Sequence, residues 1–389
     1  MKKTIIILLL IIFFTNFNIC LAQLNQQTEH QINSSIFGKE RRIKVFLPKM
    51  YQRDSTLMAV PVYVLDAQDE QVWNMVTGQV DYLVSRHSVI PMILIGIVTE
   101  HRGKEFLPPS NELIAHFKNE VIPLINSNYR TLSLNVLLGH SLGGSFVSHT
   151  LFSDNSNLFN AYIALSPSFD IYDGIIYKNA ATMLNSNKDF KSFFYFSSGN
   201  IGFELDYKDN VDKMNALLSK NSPKNLVWNT NYFENKDHFS AFNYGLCDGL
   251  INLSRQYFTD QKIIEDFVEL PNAELKKLIT SFNNSKMETF NFYYKPSMGY
   301  FKMIGDEFIE KEQFDFAIQI YSLILENEPD NVKTLFNLAV AYDNKEDYKN
   351  ARDTIIKALK ELEVQKSSVS EAYYRDISKW AKSKLDSYN

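Results

Sequence analysis

Five consecutive residues, Gly139-His140-Ser141-Leu142-Gly143, carry the pattern in this chain best suited to chemistry. Asn135 to Leu138 before them is a short apolar run of strand character, and Ser145 to Phe152 after them reads as a helix. The pentapeptide therefore falls on a sharp strand-to-helix turn. A serine at the apex of such a turn adopts a strained backbone that exposes its hydroxyl at the carboxyl end of a sheet. Glycines beside it, Gly143 and Gly144 in particular, remove Cβ atoms that would crowd the closely packed strand and helix. The chemistry this suits is nucleophilic attack by Ser141 on a carbonyl carbon.

A hydroxyl is a weak nucleophile and needs a base within hydrogen-bond reach. In this arrangement acid and base follow the serine in chain order. Of the seven histidines, His30, His87, His101, His116 and His140 precede Ser141. His149 lies two turns along the helix that the turn begins, facing away from it. His238 remains as the base, reached through the polar loop Glu234-Asn235-Lys236-Asp237 after the run Leu226 to Phe233. The acid that orients the imidazole is expected after the run Phe193 to Ser197, where Glu204, Asp206 and Asp209 compete and Glu204 is favoured.

The oxyanion formed by attack needs two backbone donors: the amide of Leu142, after the nucleophile, and one from Asp66-Ala67-Gln68, where the amide of Gln68 is favoured. No clustered His, Cys or carboxylate pattern suggests a metal, and no glycine-rich phosphate loop is present, so no metal or cofactor is expected. Trp73 and Phe169 follow strand ends as candidate aromatic walls, with core packing the plainer reading of each.

Positioning these residues takes a sheet. From Gln31 to about Pro271, β-rich runs alternate with helix-patterned segments, the signature of a mostly parallel sheet covered by helices. The expected strands are Ile43 to Leu47, Val60 to Leu65, Met92 to Val98, Asn135 to Leu138, Ala161 to Leu165, Phe193 to Ser197 and Leu226 to Phe233. Several are apolar throughout, as strands buried on both faces are.

These features together resemble the esterases related to esterase D, a family that includes siderophore esterases, feruloyl esterases and mycolyltransferases. The resemblance covers roughly Gln31 to Phe258. It rests on Arg42-Ile43-Lys44-Val45-Phe46-Leu47-Pro48, Val64-Leu65-Asp66, Tyr129-Arg130 leading into the serine turn, Ser166-Pro167-Ser168, and His238 followed by Asp248-Gly249-Leu250. It implies an α/β-hydrolase fold, Ser141 as nucleophile and His238 as base. The chain departs from the family pattern in three places. Ala67 stands where a glycine is usual, and His101-Arg102-Gly103-Lys104-Glu105 is a loose version of an Arg-rich segment. Ile201 occupies a position where similar sequences tend to place a glutamate, so either Glu204 substitutes for it or the enzyme works as a Ser-His dyad.

The 389 residues are 45% hydrophobic and 22% charged, an ordinary globular balance with length for two domains. The net charge of −5 is spread without a basic stripe, which argues against nucleic-acid binding. Lys2 and Lys3, the apolar run Ile5 to Phe14 and Cys20-Leu21-Ala22 read as a signal peptide over 1–22, cleaved before Gln23. The run is shorter than the roughly 20 residues of a membrane span. Lipidation at Cys20 is the lesser reading, because Ile19 precedes it. The expected location is periplasmic or extracellular. After cleavage only Cys247 remains, so no internal disulfide can form.

The expected domains are a hydrolase over 23–258, a helical linker over 259–297 with a break at Asn283 to Ser285, and helical repeats over 298–389. A 34-residue period relates Ile304 to Leu338, Phe308 to Tyr342, Ala317 to Ala351 and Tyr321 to Ile355. With Phe301, Gly305 and Pro329 it resembles the tetratricopeptide repeat. Two copies are few, so Glu371 to Leu385 or the hydrolase is expected to cap them. Tyr293-Tyr294 near Pro296 is expected to pack an interdomain junction. The function expected is hydrolysis of a small-molecule ester. The alternatives are an acyltransferase of the same fold, or an inert hydrolase-like binding module whose repeats recruit a protein or peptide.

Overall fold

The computed structural model describes residues 26–53, 57–186, 189–221, 223–265, 274–292 and 298–388. The expected signal peptide with Cys20, and Pro271, Tyr293, Tyr294 and Pro296, lie outside these described residues. The chain forms two compact units, 1–256 with 287–292, and 257–286 with 293–389.

The first unit holds an eight-stranded sheet: β1 Gln27–Ser34, β2 Lys39–Phe46, β3 Val60–Val64, β4 Met92–Ile97, β5 Val136–His140, β6 Ala161–Leu165, β7 Ser192–Gly199 and β8 Leu226–Phe233. Their order across the sheet is β1-β2-β4-β3-β5-β6-β7-β8. From β4 to β8 every pairing is parallel, while β1 pairs with β2 and β2 with β4 antiparallel. The inner strands β3 to β7 are buried along their whole length except for His140, which accounts for their unbroken Val, Ile, Leu and Phe runs. This is the α/β-hydrolase architecture expected, a mostly parallel sheet with helices, followed by an all-helical region.

β1 has no counterpart among the expected strands. Its sequence, Gln-Thr-Glu-His-Gln-Ile-Asn-Ser, is polar and mostly exposed, and it is a strand because it completes a hairpin with β2 at the sheet's edge. The parallel register sets six loops at the carboxyl ends of neighbouring strands: those after β4, β3, β5, β6, β7 and β8. That is where α/β sheets place their ligands.

In the second unit, helices start at Met298, Phe314, Val332 and Tyr348, so the first pair recurs as the second after 34 residues. Phe301, Ile304, Phe308, Ala317, Tyr321 and Leu338 share one core cluster. A Cβ on Gly305 would lie 2.5 Å from Tyr321 Cε1, so the glycine lets the first two helices touch. Glu371–Ser387 follows, its Trp380 packing edge-on against Phe336. The expected break at Asn283 to Ser285 does not occur. These residues are the exposed face of the continuous helix Leu275–Phe290, where polar side chains meet solvent without interrupting the backbone.

Candidate active site

Ser141 sits between the last residue of β5 and the first of the helix Leu142–Leu151, with φ 56° and ψ −121°. That strained conformation is the one a strand-to-helix serine turn requires. Its amide donates to Leu165 O of the neighbouring strand at 2.8 Å, which pins the turn to β6. The crowding is tightest at Gly139, where a Cβ would lie 2.5 Å from Gly143 C, and is also acute at Gly144, 3.0 Å from Leu165 O.

Glu204 is fully buried and opens the helix Glu204–Asn221 after β7, and His238 opens the helix His238–Glu265 after β8. The loop histidine of the sequence reading is thus a helix-initiating one, with Glu234 to Asp237 forming the approach. His238 Nδ1 is hydrogen-bonded to Glu204 Oε1. The other carboxylate oxygen accepts from Ser166 Oγ at 3.0 Å and from Gly199 N at 2.6 Å. Three donors compensate the burial of this charge. Asp206 and Asp209, the competing acids, are exposed further along the same helix. A carboxylate at Nδ1 puts the hydrogen there and leaves Nε2 as the basic nitrogen.

His140, inside the serine turn, binds the histidine loop. Its Nε2 donates to the His238 carbonyl at 3.0 Å, and its ring stacks on Phe242 with centroids 4.5 Å apart and 6° between planes. The His140 and His238 rings lie 4.4 Å apart. Burial, and then the neighbouring His238, push the His140 imidazole down to about 3, so it stays neutral. Chain order excludes His140 as the base, and its position alone suggests no other role. Among the described residues no hydrogen bond joins Ser141 Oγ to His238, and such contacts commonly tighten only with substrate bound.

The loop after β3 lies against the turn: a Cβ on Gly143 would be 3.3 Å from Asp66 Oδ2. Ala67 N donates to Ile97 O and Asp69 N to Asp66 O, each at 3.1 Å, while Gln68 N has no acceptor among the described residues. Leu142 N, at the first position of its helix, likewise points outside the helical ladder. The Ala67 methyl is accommodated by Gly96, on which a Cβ would lie 2.6 Å from it.

A cleft of about 170 Å³ opens beside these groups, lined by Leu65, Val72, Leu138, Phe242, Phe239 and Arg102 among others. Phe239, Phe203, Leu205 and Ile201 form an exposed apolar set flanking His238 and Glu204. Trp73 and Phe169, the candidate walls, are core residues, the plainer of their two readings. Trp73 is sealed under Gly96 with Nε1 donating to Gln27 Oε1 at 3.0 Å, and Phe169 packs on Phe196 and Tyr177. The wall residues missed were Phe242, one turn after His238 on the same helix face, and Phe239, its direct neighbour in the chain, whose ring meets the imidazole edge-on.

A serine turn on the central strand of a mostly parallel sheet, with the histidine after the last strand, defines an α/β-hydrolase. Residues 34–241 match the family described as "Putative esterase", more than half of the chain, and the chain belongs to that esterase family. Among solved structures, an IroE-like serine hydrolase from Shewanella oneidensis aligns over 77% of this chain and 99% of its own, at 20% identity and a TM-score of 0.61. An uncharacterised protein from Capnocytophaga ochracea aligns over 86% and 94%, at 14% identity and a TM-score of 0.67. The siderophore hydrolase EstA from Aspergillus nidulans aligns over 60% and 96%, at 19% identity and a TM-score of 0.52. At these identities the likeness is one of fold. No curated protein sequence matches the chain.

Proposed function

We propose that the chain is an exported carboxylic ester hydrolase that works through an acyl-serine intermediate on Ser141. The observation that carries this reading is the buried Glu204–His238 pair at the ends of β7 and β8, tied by His140 to the serine turn at the end of β5. Ser141 Oγ attacks the ester carbonyl as His238 Nε2 takes its proton, and Glu204 stabilises the imidazolium. The tetrahedral oxyanion is held by the amides of Leu142 and Gln68. His238 returns the proton to the leaving alkoxide, and the same groups then direct water onto the acyl-enzyme.

The small apolar cleft suits a short acyl chain or a single ring, being close to the size of cavity that takes up benzene. The exposed Phe239 on the cleft wall and the exposed Phe203 against His238 suit a bulky remainder outside it, and siderophore esters fit that description. An acyltransferase would run the same first half-reaction and differ only in admitting an alcohol in place of water. Export rests on residues 1–22. The 34-residue recurrence of helix pairs supports a tetratricopeptide-like region over 298–389, following a hydrolase over 23–258 and a linker over 259–297. Among the described residues no helix is long and apolar enough to cross a membrane.

The test is turnover of short-chain p-nitrophenyl esters by the chain from Gln23, beside Ser141→Ala and His238→Ala, with fluorophosphonate labelling of Ser141. Turnover and labelling abolished by Ser141→Ala support the enzyme. An inert, unlabelled wild-type chain would favour the binding-module reading.

A further inference from the structure

The loop after β3 carries a negative charge where an oxyanion site should not tolerate one. Asp66 stands at φ 64°, a left-handed conformation uncommon for a residue with a side chain, and its Oδ2 lies beside the serine turn. A carboxylate there repels the charge that develops on the substrate oxygen, unless another group cancels it. Arg102 does so in a bidentate pair, Nε to Oδ1 at 2.6 Å and Nη2 to Oδ2 at 3.0 Å.

The same pair braces the loop. Gln68 Nε2 donates to Asp66 Oδ1 at 2.9 Å, and Gln68 Oε1 accepts from Thr99 N at 2.9 Å, so the residue whose backbone amide has no acceptor among the described residues is held by its side chain at both ends. Arg102 is itself anchored from below. Glu105, which ends the short helix Arg102–Glu105, is buried against Arg41 Nη1 and Nη2 and accepts from the amides of Glu100 and His101.

We propose that Arg102 is a positioning residue of the oxyanion site, acting through Asp66 by neutralising its carboxylate and fixing the loop that presents the Gln68 amide. This rests on the esterase reading above. Arg102 also borders the cleft and is partly exposed, so a rival role is to bind an anionic group of the substrate.

An uncharged substrate, p-nitrophenyl acetate, separates the two roles. Arg102→Ala should lower kcat about tenfold to a hundredfold with KM within about twofold, the signature of a group that matters in the transition state. Adding Asp66→Asn should restore most of the loss. Asn adopts the left-handed conformation as readily as Asp and still offers Gln68 an acceptor, but carries no charge. Arg102→Lys should retain most of kcat and Arg102→Gln should not, which reads the same point in side chains that preserve bulk. An effect confined to KM, an undiminished kcat in Arg102→Ala, a loss that Asp66→Asn does not relieve, or equal behaviour of the Lys and Gln variants overturns the proposal while leaving an active wild type. An inert wild type unlabelled at Ser141 would instead end the esterase reading, and this inference with it.

Discussion

Glu204 and His238 each begin a helix, and the hydrogen bond between them joins two helix starts that stand at the ends of adjacent parallel strands. A carboxylate in a helix's first turn is favoured by the backbone dipole, and Glu204 stands in that turn in a fully buried position. Glu204→Gln keeps an acceptor for Gly199 N and Ser166 Oγ but removes the charge facing the imidazole. We expect kcat on p-nitrophenyl acetate to fall about a thousandfold to ten-thousandfold. Asp206→Asn and Asp209→Asn, in exposed positions, should change it by less than about twofold. Comparable losses in either of these would move the acid away from Glu204.

Acid should destabilise the fold through its buried histidines. His140 is held at about 3 against an unfolded value of 6.5, so between these limits the unfolded chain binds a proton that the folded chain does not. Stability from this group is therefore complete above pH 6.5 and is lost as pH falls toward 3, by at most about 1.4 kcal/mol per pH unit. Burial lowers His116 and His149 in the same direction. Thermal melts between pH 7 and pH 4 should show the midpoint falling, and His140→Gln, which keeps a donor for the His238 carbonyl, should show a shallower fall. Equal slopes in the two proteins would mean that His140 is not buried in its neutral form.

Gly199 is the narrowest point between the acid and base loops. A Cβ there would lie 2.0 Å from Lys236 O, two residues before His238, while the Gly199 amide is bonded to Glu204. Gly199→Ala must displace one loop or the other. We expect a loss of about 1–3 kcal/mol in denaturant unfolding and of roughly a hundredfold in kcat, the scale of a 1 Å misplacement. A variant of undiminished stability and turnover would show that the two loops move apart freely.

Two misreadings show where local pattern stops being informative. β1 is polar because one edge of the sheet faces water, and its strand state comes from pairing with β2, a partner that its own eight residues do not encode. Asn283 to Ser285 have the composition of a break, yet the helix Leu275–Phe290 passes through them because their exposed face has no need of apolar residues. Composition reports burial, and burial is decided by what lies alongside.

What the sequence determined by itself is whatever depends on neighbours along the chain. The inner strands are legible because burial on both faces demands uninterrupted apolar runs, and the serine turn is legible because its crowding calls for glycine at positions 139 and 144. The tertiary structure decided what depends on neighbours across the sheet. It set Glu204, and not Asp206 or Asp209, against His238. It used His140 to tie the serine turn to the histidine loop, and it paired Asp66 with Arg102. The physical reason is that each of these contacts joins loops at the ends of different strands, and only the order and register of the sheet bring those ends together.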